Sequence, residues 1–323
     1  MKIIVTHTSP DLDAITSVWL IRKFLPGWEN AITQFVPAGE RISSSKFIRQ
    51  MTDQSSKLKD TIEKIGNDEV IHVDTGLGPL DHHQTASDKV CAASLAWDFV
   101  RIQNSDKTEE KAEVIERMAK VVVDIDHFKE VFWEDPTADY HEFSLASILD
   151  GLKLAKPNQD EYYVKFVIDC LDLILHEFEN RIWAEKEIRE RSIEFTTRFG
   201  KGMGFETIND SVLKLAQKMG YVIVVRKDPR KGYVRIKALP NKVQNSRLHL
   251  SSAKADGGQA KFKVQSCDVD LTLAYEKLKK MDPTATWFLH IGKKMLLNGS
   301  VKNPKMRPTR LGLGEIMKVL EKI

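Results

Sequence analysis

The sequence lacks the features that direct a chain into or across a membrane. None of its apolar runs approaches the roughly 18 residues needed to span a bilayer, and the opening MKIIV is far too short for the apolar core of a signal peptide. The formal charge is only +3 over 323 residues, so the overall balance indicates no particular partner. We therefore expect a cytoplasmic protein that has no membrane partner.

Cysteine is scarce and widely spaced. Cys91, Cys170 and Cys267 show no CxxC spacing, which argues against a disulfide framework and against a structural zinc site. The glycine-rich GKGMG at 200–204 lacks the lysine-serine ending of a phosphate-binding loop, so we expect it to be an ordinary loop that follows a long helix. These absences exclude a disulfide-rich secreted protein and a P-loop nucleotidase.

The chain does contain an alternation of strand and helix patterns. The β-branched KIIVTH predicts a buried strand, and it is followed by the turn-prone TSPDLD and by AITSVWLIRKFL at helical spacing. The alternation continues with a strand in AITQFVPAG, a helix in SSKLKDTIEKIG (55–66), a strand in EVIHVDTG and a helix in VCAASLAWDFVRIQ. Such alternation predicts an α/β fold with a mostly parallel sheet, which gathers ligands at the carboxyl ends of its strands.

The rest of the chain predicts a connector and a second domain. A helix is expected in KAEVIERMAKVVVDIDHF, and a long one from Asn158, which with Glu161 forms its cap, to a stop at Gly200. YVIVVRKDPRKGYVRIKAL predicts a hairpin, and the remaining segments complete a smaller α/β domain. Because single cores stop growing at roughly 250 residues, we predict a domain over 1–135, a helical connector over 136–200 and a C-terminal domain over 201–323.

Acidic and imidazole side chains stand at the predicted strand ends. They are His7, Asp11 and Asp13 in HTSPDLD, Asp74 in HVDTG, and Asp81, His82 and His83 in LDHHQT. A mixed carboxylate and imidazole set suits Mn²⁺, with Mg²⁺ as an alternative, better than it suits Ca²⁺ or structural zinc. Two ions that share one carboxylate would use so many ligands and would suit phosphoryl chemistry. The competing interpretation of HTSPDLD is a polar loop in which Asp13 caps the next helix.

In this order the motifs HTSPDLD, VDTG and DHH resemble those of the DHH superfamily of phosphoesterases, over about the first 130 residues. The resemblance implies an N-terminal DHH domain with a dinuclear site. It implies that His7 and Asp11 hold one metal, that Asp13 and His82 hold the other, and that Asp74 bridges them. It further implies two catalytic residues, His83 over the substrate phosphate and Asp81 orienting the imidazoles.

The family also has a fourth acidic motif, for which VVVDIDHF offers Asp124 and Asp126. If the segment is a helix, the positions three, four, seven and eight residues before Asp126 are all apolar, which is the pattern of an inward face. The same positions before Asp124 are mostly charged. We therefore predict Asp126 as the ligand. If the segment is a strand instead, both side chains point the same way, and the pattern does not choose between Asp124 and Asp126.

The later part of the chain has its own resemblance. LDHHQ with AASLAWDFV, then GYVRIKALP and TWFLHIGKKMLLNGS, is similar to the layout of the melanocyte-proliferating-gene type of DHH protein, a group of 3′-5′ RNA exonucleases, although the first motif differs. Between 226 and 254 stand nine Lys or Arg residues against one acid, including Arg235. Such a surface suits a polyanion. Exposed amides at a glycine turn before a helix suit phosphate, which makes candidates of Asn298, Gly299, Ser300 and Lys302.

Together these features predict a Mn²⁺-dependent phosphodiesterase or exonuclease with two metal ions. It would hydrolyse terminal phosphodiester bonds of a single-stranded oligonucleotide or of a short nucleotide. Two alternatives stay open. One is a pyrophosphatase-like hydrolase of small phosphoanhydrides, and the other is an inactive DHH protein that binds nucleic acid. The sequence does not distinguish RNA from DNA, and it indicates neither cleavage polarity nor oligomeric state.

Overall fold

The computed structural model of the chain describes residues 1–42, 61–240, 268–300 and 302–323. Two compact units are present, Met1–Glu179 and Asn180–Ile323, so their border falls inside a long helix. The three-part division at 135 and 200 stays a prediction. None of the described helices is long and apolar enough to cross a membrane. Helices and partly parallel sheets make up both units, which confirms the predicted α/β class.

A four-stranded sheet forms the centre of the first unit. Its strands are β1 (Lys2–His7), β2 (Ile32–Val36), β3 (Glu63–Ile65) and β4 (Asp68–His72), in the order β2-β1-β4-β3. Strand β1 is parallel to both of its neighbours, and only β3 is antiparallel to β4. The sheet is therefore mostly parallel, as predicted. The apolar middle of β1 is fully enclosed because strands lie on both of its sides and helices cover it.

Six helices of the described chain belong wholly or partly to this unit. They are α1 (Leu12–Phe24), α2 (Ala92–Gln103), α3 (Ser105–Thr108), α4 (Ala112–Asp126), α5 (Leu145–Ala155) and α6 (Asp160–Arg191), with short 3₁₀ turns at Glu109–Lys111, Lys129–Phe132 and Asp139–Phe143. The α1 helix is buried over its first ten residues and packs against α2 and α4. The predictions of α1, α2 and α4 from apolar spacing are confirmed.

One predicted helix in this unit is wrong over the part that can be tested. Of SSKLKDTIEKIG, residues 55–60 lie outside the described residues, and Glu63–Ile65 form strand β3 instead of a helix. Gly66 has φ +63°, and with Asn67 it closes a two-residue turn between β3 and β4. A glycine in the left-handed region favours such a hairpin turn, and the pairing of β3 with β4 overrides the local helical spacing.

The second unit is built on a six-stranded mixed sheet. Its strands are β5 (Ile193–Thr197), β6 (Gly200–Glu206), β7 (Ile223–Lys227), β8 (Val234–Ala238), β9 (Trp287–Leu289) and β10 (Met295–Asn298), and its other helices are α7 (Ser211–Lys218), α8 (Thr272–Met281) and α9 (Leu313–Leu320). The order is β5-β6-β7-β8-β10-β9, and β6 with β7 is the parallel pair. The predicted hairpin of β7 and β8 is confirmed.

The predicted end of the long helix is wrong. Helix α6 ends at Arg191, and GKGMG opens strand β6 rather than forming a loop. The glycines make this strand possible, because a side chain at Gly202 would collide with the ring of Phe195 and one at Gly204 with Met317. At the other end of α6, Asn158 lies two residues before the helix with φ +58°, so it does not hold the predicted cap position.

Candidate metal site

The candidate site lies at the carboxyl ends of two adjacent parallel strands. His7 is the last residue of β1, and Asp74 follows the end of β4 by two residues. Asp11 is the N-cap of α1, and its Oδ1 accepts a hydrogen bond of 3.0 Å from the Ala14 amide. The order strand, loop, helix therefore brings HTSPDLD beside Asp74, at the sheet edge where the sequence predicted ligands.

Asp74 has an unusual backbone conformation for a residue with a side chain. Its φ is +52°, in the left-handed region, and its amide donates to the Leu80 carbonyl at 3.0 Å. Val73 and Leu80 form a further parallel bridge, so the chain turns back on itself between them. Aspartate is one of the few residues with a side chain that adopt this conformation readily. The turn brings the DHH motif next to Asp74.

Hydrogen bonds fix the loop that carries the DHH motif. Asp81 accepts from the Leu77 amide through Oδ2 at 2.7 Å and from the His83 amide through Oδ1 at 3.0 Å. The side-chain amide of Gln84 donates to the carbonyls of Gly78 at 2.8 Å and Asp81 at 3.2 Å. Gln84 therefore has a positioning role that the sequence did not reveal.

His82 faces three carboxylates. Its Nε2 lies 3.5 Å from Asp126 Oδ2, 3.6 Å from Asp74 Oδ1 and 3.8 Å from Asp13 Oδ2. The first three of these atoms, His82 Nε2, Asp126 Oδ2 and Asp74 Oδ1, are buried and have no hydrogen-bond partner within the described chain. Ligands bound to one ion at about 2.1 Å lie roughly 3.0–3.4 Å apart. The separations of His82 Nε2 from Asp126 Oδ2 and from Asp74 Oδ1 are therefore closer to the spacing of ligands on one ion than to that of direct hydrogen bonds.

His7 faces the other oxygen of Asp74. Its Nδ1 lies 2.9 Å from the Thr8 carbonyl, which can only accept, so Nδ1 carries a proton and Nε2 points at Asp74 Oδ2 at 3.2 Å. Asp11 Oδ2 is 4.0 Å from the same Nε2. Burial lowers the pKa of His7, but the hydrogen bond to Asp74 and nearby charges outweigh it and raise the pKa to about 9. The position thus favours a positive charge at Nε2.

The described side chains therefore form groups that could hold a metal ion on both sides of Asp74. One group is His7, Asp11 and Asp74, and the others are Asp74, His82 and His83, and His82, Asp126 and His127. Because Asp74 Oδ2 faces His7 while Oδ1 faces His82 and His83, this one carboxylate lies between two histidine clusters. The acidic and imidazole groups are suited to divalent metal ions, and their chemistry does not identify the metal.

Asp13 is held differently from the other acids. Its side chain is buried, and its two oxygens accept bonds of 2.7 Å from the amides of Ala92 and Ala93 at the start of α2. Burial, together with the charge of Asp74, raises the pKa of Asp13 well above its usual value. The cap of its own helix is Asp11, so the interpretation of Asp13 as that cap is wrong. Asp13 joins α1 to the beginning of α2, and its role as a ligand stays a prediction.

The fourth motif lies on a helix, so the geometric choice between its two acids applies. Asp126 ends α4, and its Oδ2 approaches His82 to 3.5 Å. Asp124 is absent from the described metal-ligating groups and instead lines a cavity with Lys120 and Lys129. Burial is the main cause that raises the pKa of Asp126, against the lowering effect of His82. The structure thus brings Asp126, rather than Asp124, to the other predicted ligands.

Two further histidines border the site. His83 Nδ1 lies 2.8 Å from Asp81 Oδ1, which leaves Nε2 for another partner, and its side chain is 60% exposed. Burial lowers the pKa of His83, but Asp81 and the nearby acids together raise it. His127, which sequence reasoning missed, lies 3.7 Å from Asp126 Oδ2 while its Nε2 contacts the Val90 carbonyl at 2.9 Å. Its position directly after Asp126 was the available signal.

Phosphate binding by Asn298 in the second unit stays a prediction, and the structure shows where its side chain lies. Its side chain is fully buried and donates to the carbonyls of Thr286 at 2.9 Å and Arg307 at 3.0 Å, while its Oδ1 accepts from the Thr309 amide at 2.6 Å. The side chain is therefore used within the protein. The helix expected after the turn begins at Leu313, as the sequence pattern predicts.

The other predicted substrate contacts have mixed surroundings. Arg235 forms an ion pair with Asp210, and Gly299 has φ +80° with the Tyr233 ring against it. The side chain of Lys302 is exposed, and Ser300 pairs with Asn303 through the backbone.

The predicted basic residues Lys242, Arg247 and Lys254 lie outside the described residues. Substrate binding by Arg235, Gly299, Ser300 and Lys302 stays a prediction.

Comparisons with known proteins give little support from outside the chain. No family model matches the sequence, and no curated protein matches it. One solved structure, described as the DHH domain of a member of a family of ribosomal proteins, aligns over 99% of this chain and 86% of its own, with 11% identity and a TM-score of 0.29. A likeness this weak supports neither a fold nor a function, so the interpretation depends on the geometry of the site.

Proposed function

We propose that this chain is a metal-dependent phosphoesterase of the DHH type that hydrolyses terminal phosphodiester bonds of single-stranded oligonucleotides or short nucleotides. The observation that carries the proposal is that two carboxylate atoms, Asp74 Oδ1 and Asp126 Oδ2, both face His82 Nε2, and that all three atoms are buried without hydrogen-bond partners among the described residues. Buried carboxylates without a compensating charge are costly, and a bound divalent cation supplies that charge.

Two groups of residues would hold the metal ions. His7, Asp11 and Asp74 Oδ2 would hold one ion, and His82 would hold the other together with Asp74 Oδ1 and Asp126 Oδ2, which lie 3.6 Å and 3.5 Å from its Nε2. The mixture of carboxylate and imidazole favours Mn²⁺, with Mg²⁺ as an alternative. When bound, two such ions polarise phosphoryl oxygens and lower the pKa of water, which is the chemistry that phosphodiester hydrolysis needs.

The chain itself orients the reacting groups. The Thr8 carbonyl fixes the His7 ring so that Nε2 faces the acids, and Asp81 fixes His83 so that its Nε2 remains available. His83 is the most exposed of the histidines in the described ligand groups, and we assign it to bind a phosphoryl oxygen through that nitrogen. Asp81 acts through His83 and through the Leu77 amide, so it is a positioning residue.

The proposal is tested by incubating the protein with Mn²⁺ and, separately, with a labelled short RNA, a short DNA, a cyclic dinucleotide and pyrophosphate. We expect mononucleotide release from an oligomer, abolished in Asp74→Ala and retained in Asp124→Ala, a matched acid on the same helix as Asp126. Phosphate release from pyrophosphate alone would reject the proposal in favour of the small-anhydride hydrolase. Tight oligomer binding without turnover would favour the inactive nucleic-acid-binding protein.

A further inference from the structure

A cavity of about 380 Å³ opens beside the candidate metal site, within the first unit. Asp11, Asp13 and Asp126 line one side of it, so the cavity adjoins the acids that face His7 and His82. Phe128, Trp133 and His141 line it as well. Its size is in the range of pockets that bind small molecules, which are about 300–1,000 Å³. A group attached to a phosphate at the metal site could therefore enter this cavity.

The aromatic part of the wall is already ordered by the protein's own contacts. The Trp133 and His141 rings are 6.0 Å apart between centroids, and Tyr140 contacts His141 at 4.4 Å. His141 Nε2 lies 3.0 Å from the Asp135 carbonyl and 3.2 Å from the Glu134 carbonyl, so it donates to that loop. Because these contacts fix the rings, the cavity presents a preformed surface on which a planar ring can stack.

Phe128 adds an aromatic ring that the fold does not need for its core. Its φ is +55°, in the left-handed region that is strained for a bulky residue, and its side chain is 75% exposed. An exposed ring gains little from burial, so packing does not account for the residue at this position. A role as a second stacking surface at the same cavity accounts for the Phe128 ring at this position.

The described lining of the cavity is poorly suited to binding the phosphate itself. Its described lining contains five acids and neither Lys nor Arg; the acids are Asp11, Asp13, Asp126, Glu130 and Asp150. Glu130 Oε2 is buried and has no hydrogen-bond partner within the described chain. A ligand group that stacks on the aromatic wall and reaches Glu130 is therefore planar and able to donate a hydrogen bond to a carboxylate.

We propose that this cavity binds the base of the nucleotide whose phosphate lies at the metal site, and that Glu130 makes it prefer bases with an amino group. The inference rests on the proposed function for the position of the phosphate, and it names a base subsite that the metal ligands alone do not imply. An amino group such as that of cytosine donates to a carboxylate, whereas the uracil carbonyl at the same position repels one.

The test uses cytidine and uridine, which carry no phosphate and need no metal. Binding to the metal-free protein is measured by calorimetry. We expect cytidine to bind at least about fivefold more tightly than uridine, and Trp133→Ala to weaken both by about tenfold while Trp133→Phe retains most of the binding. Glu130→Gln should remove the difference between the two nucleosides, because its amide can serve either ring.

Matched controls lie close to the tested residues in the chain. Phe132→Ala and Glu142→Gln change exposed side chains that do not line the cavity, and both should leave nucleoside binding unchanged. Equal binding of the two nucleosides, no binding, or insensitivity to Trp133→Ala would each overturn the base subsite even if oligomers are hydrolysed. Selective cytidine binding by a protein that hydrolyses no phosphodiester would keep the subsite and reject the proposed function.

Discussion

Each compact unit contains a cluster of buried polar side chains, and the two clusters differ in what their atoms face. In the first unit His82, Asp74 and Asp126 present atoms to one another that have no hydrogen-bond partner among the described residues. In the second unit Asn298 is equally buried, but each of its amide atoms is bonded to backbone groups. Nearby, Asp282 accepts from Thr309 Oγ1 at 2.8 Å and from the Arg310 amide at 2.9 Å.

The difference separates a structural cluster from a binding site. A buried polar group whose partners come from the protein holds distant segments together, as Asn298 does for the chain around 286, 307 and 309. A buried carboxylate whose partner is missing needs something from outside the chain. Each cluster contains a buried aspartate, Asp74 in the first and Asp282 in the second, so the state of the hydrogen bonds distinguishes them.

The largest expected effect comes from removing a charge in the first cluster. In Asp126→Asn we expect the thermal stabilisation by Mn²⁺ to disappear and phosphodiester hydrolysis to fall at least about a hundredfold. The metal-free variant should be more stable than the metal-free wild type, because one of several buried acids loses its charge. Calorimetry with and without Mn²⁺ measures the two effects on stability, and the labelled oligonucleotide assay measures the loss of hydrolysis. Asp124→Asn is the matched control, and an equal loss there would undo the distinction between the two acids.

A smaller effect is expected from the satisfied cluster. Asn298→Ala should lower the free energy of unfolding by about 2–4 kcal/mol, because it leaves buried carbonyls and an amide without partners. Manganese binding, measured by titration, should not change. Urea denaturation gives the loss of stability. If stability were unchanged while oligonucleotide binding was lost, Asn298 would return to its predicted role as a phosphate contact.

The second cluster should also be sensitive to acid. Hydrogen bonds from Thr284, from the Arg310 amide and from Thr309 hold the pKa of Asp282 far below its usual range. A lowered folded-state pKa stabilises the fold above the unfolded pKa of about 4, and this contribution is lost as the pH falls below that value. Melting temperatures between about pH 2 and pH 6 should therefore fall more steeply in wild type than in Asp282→Asn. Parallel curves would contradict this assignment.

The smallest expected effect concerns the loop that carries the DHH motif. Gln84→Ala removes two hydrogen bonds to backbone carbonyls but no atom of the candidate ligand groups. We expect manganese affinity to fall by up to about tenfold, the size typical of residues that support ligands. Titration of the Lys89→Ala variant with manganese gives the reference affinity, because this variant changes an exposed side chain further along the loop. A loss as large as that of Asp126→Asn would assign Gln84 a direct role.

Much of the first unit could be predicted from local pattern. Strand β1 and helices α1, α2 and α4 follow from apolar spacing, and the same spacing favours Asp126 over Asp124 once α4 is known to be a helix. Strand β3 was missed because its pairing with β4 overrides a helical pattern. The β6 strand was missed because the sequence did not show that its glycines make room for Phe195 and Met317. Met317 is more than a hundred residues away in the chain.

The site could be predicted less completely than the fold. Motif order indicated which residues gather, but the sequence did not show that Asp13 binds the amides of Ala92 and Ala93 or that Asn298 is consumed by internal bonds. Both facts depend on contacts with backbone groups, which lie 79 and 80 residues from Asp13 and 9 to 12 residues from Asn298, and backbone groups leave no mark in a residue pattern. The aromatic cavity was missed because Trp133 and His141 lie in a segment without regular periodicity.

The backbone conformation of Asp74 limits the amino acids that position 74 can carry in an active protein. Its φ of +52° is readily adopted by Gly, Asn and Asp, whereas a negatively charged ligand there requires Asp or Glu. Only aspartate belongs to both sets. In a library of all substitutions scored for activity, position 74 should therefore accept one amino acid, while a screen for folding alone should accept three.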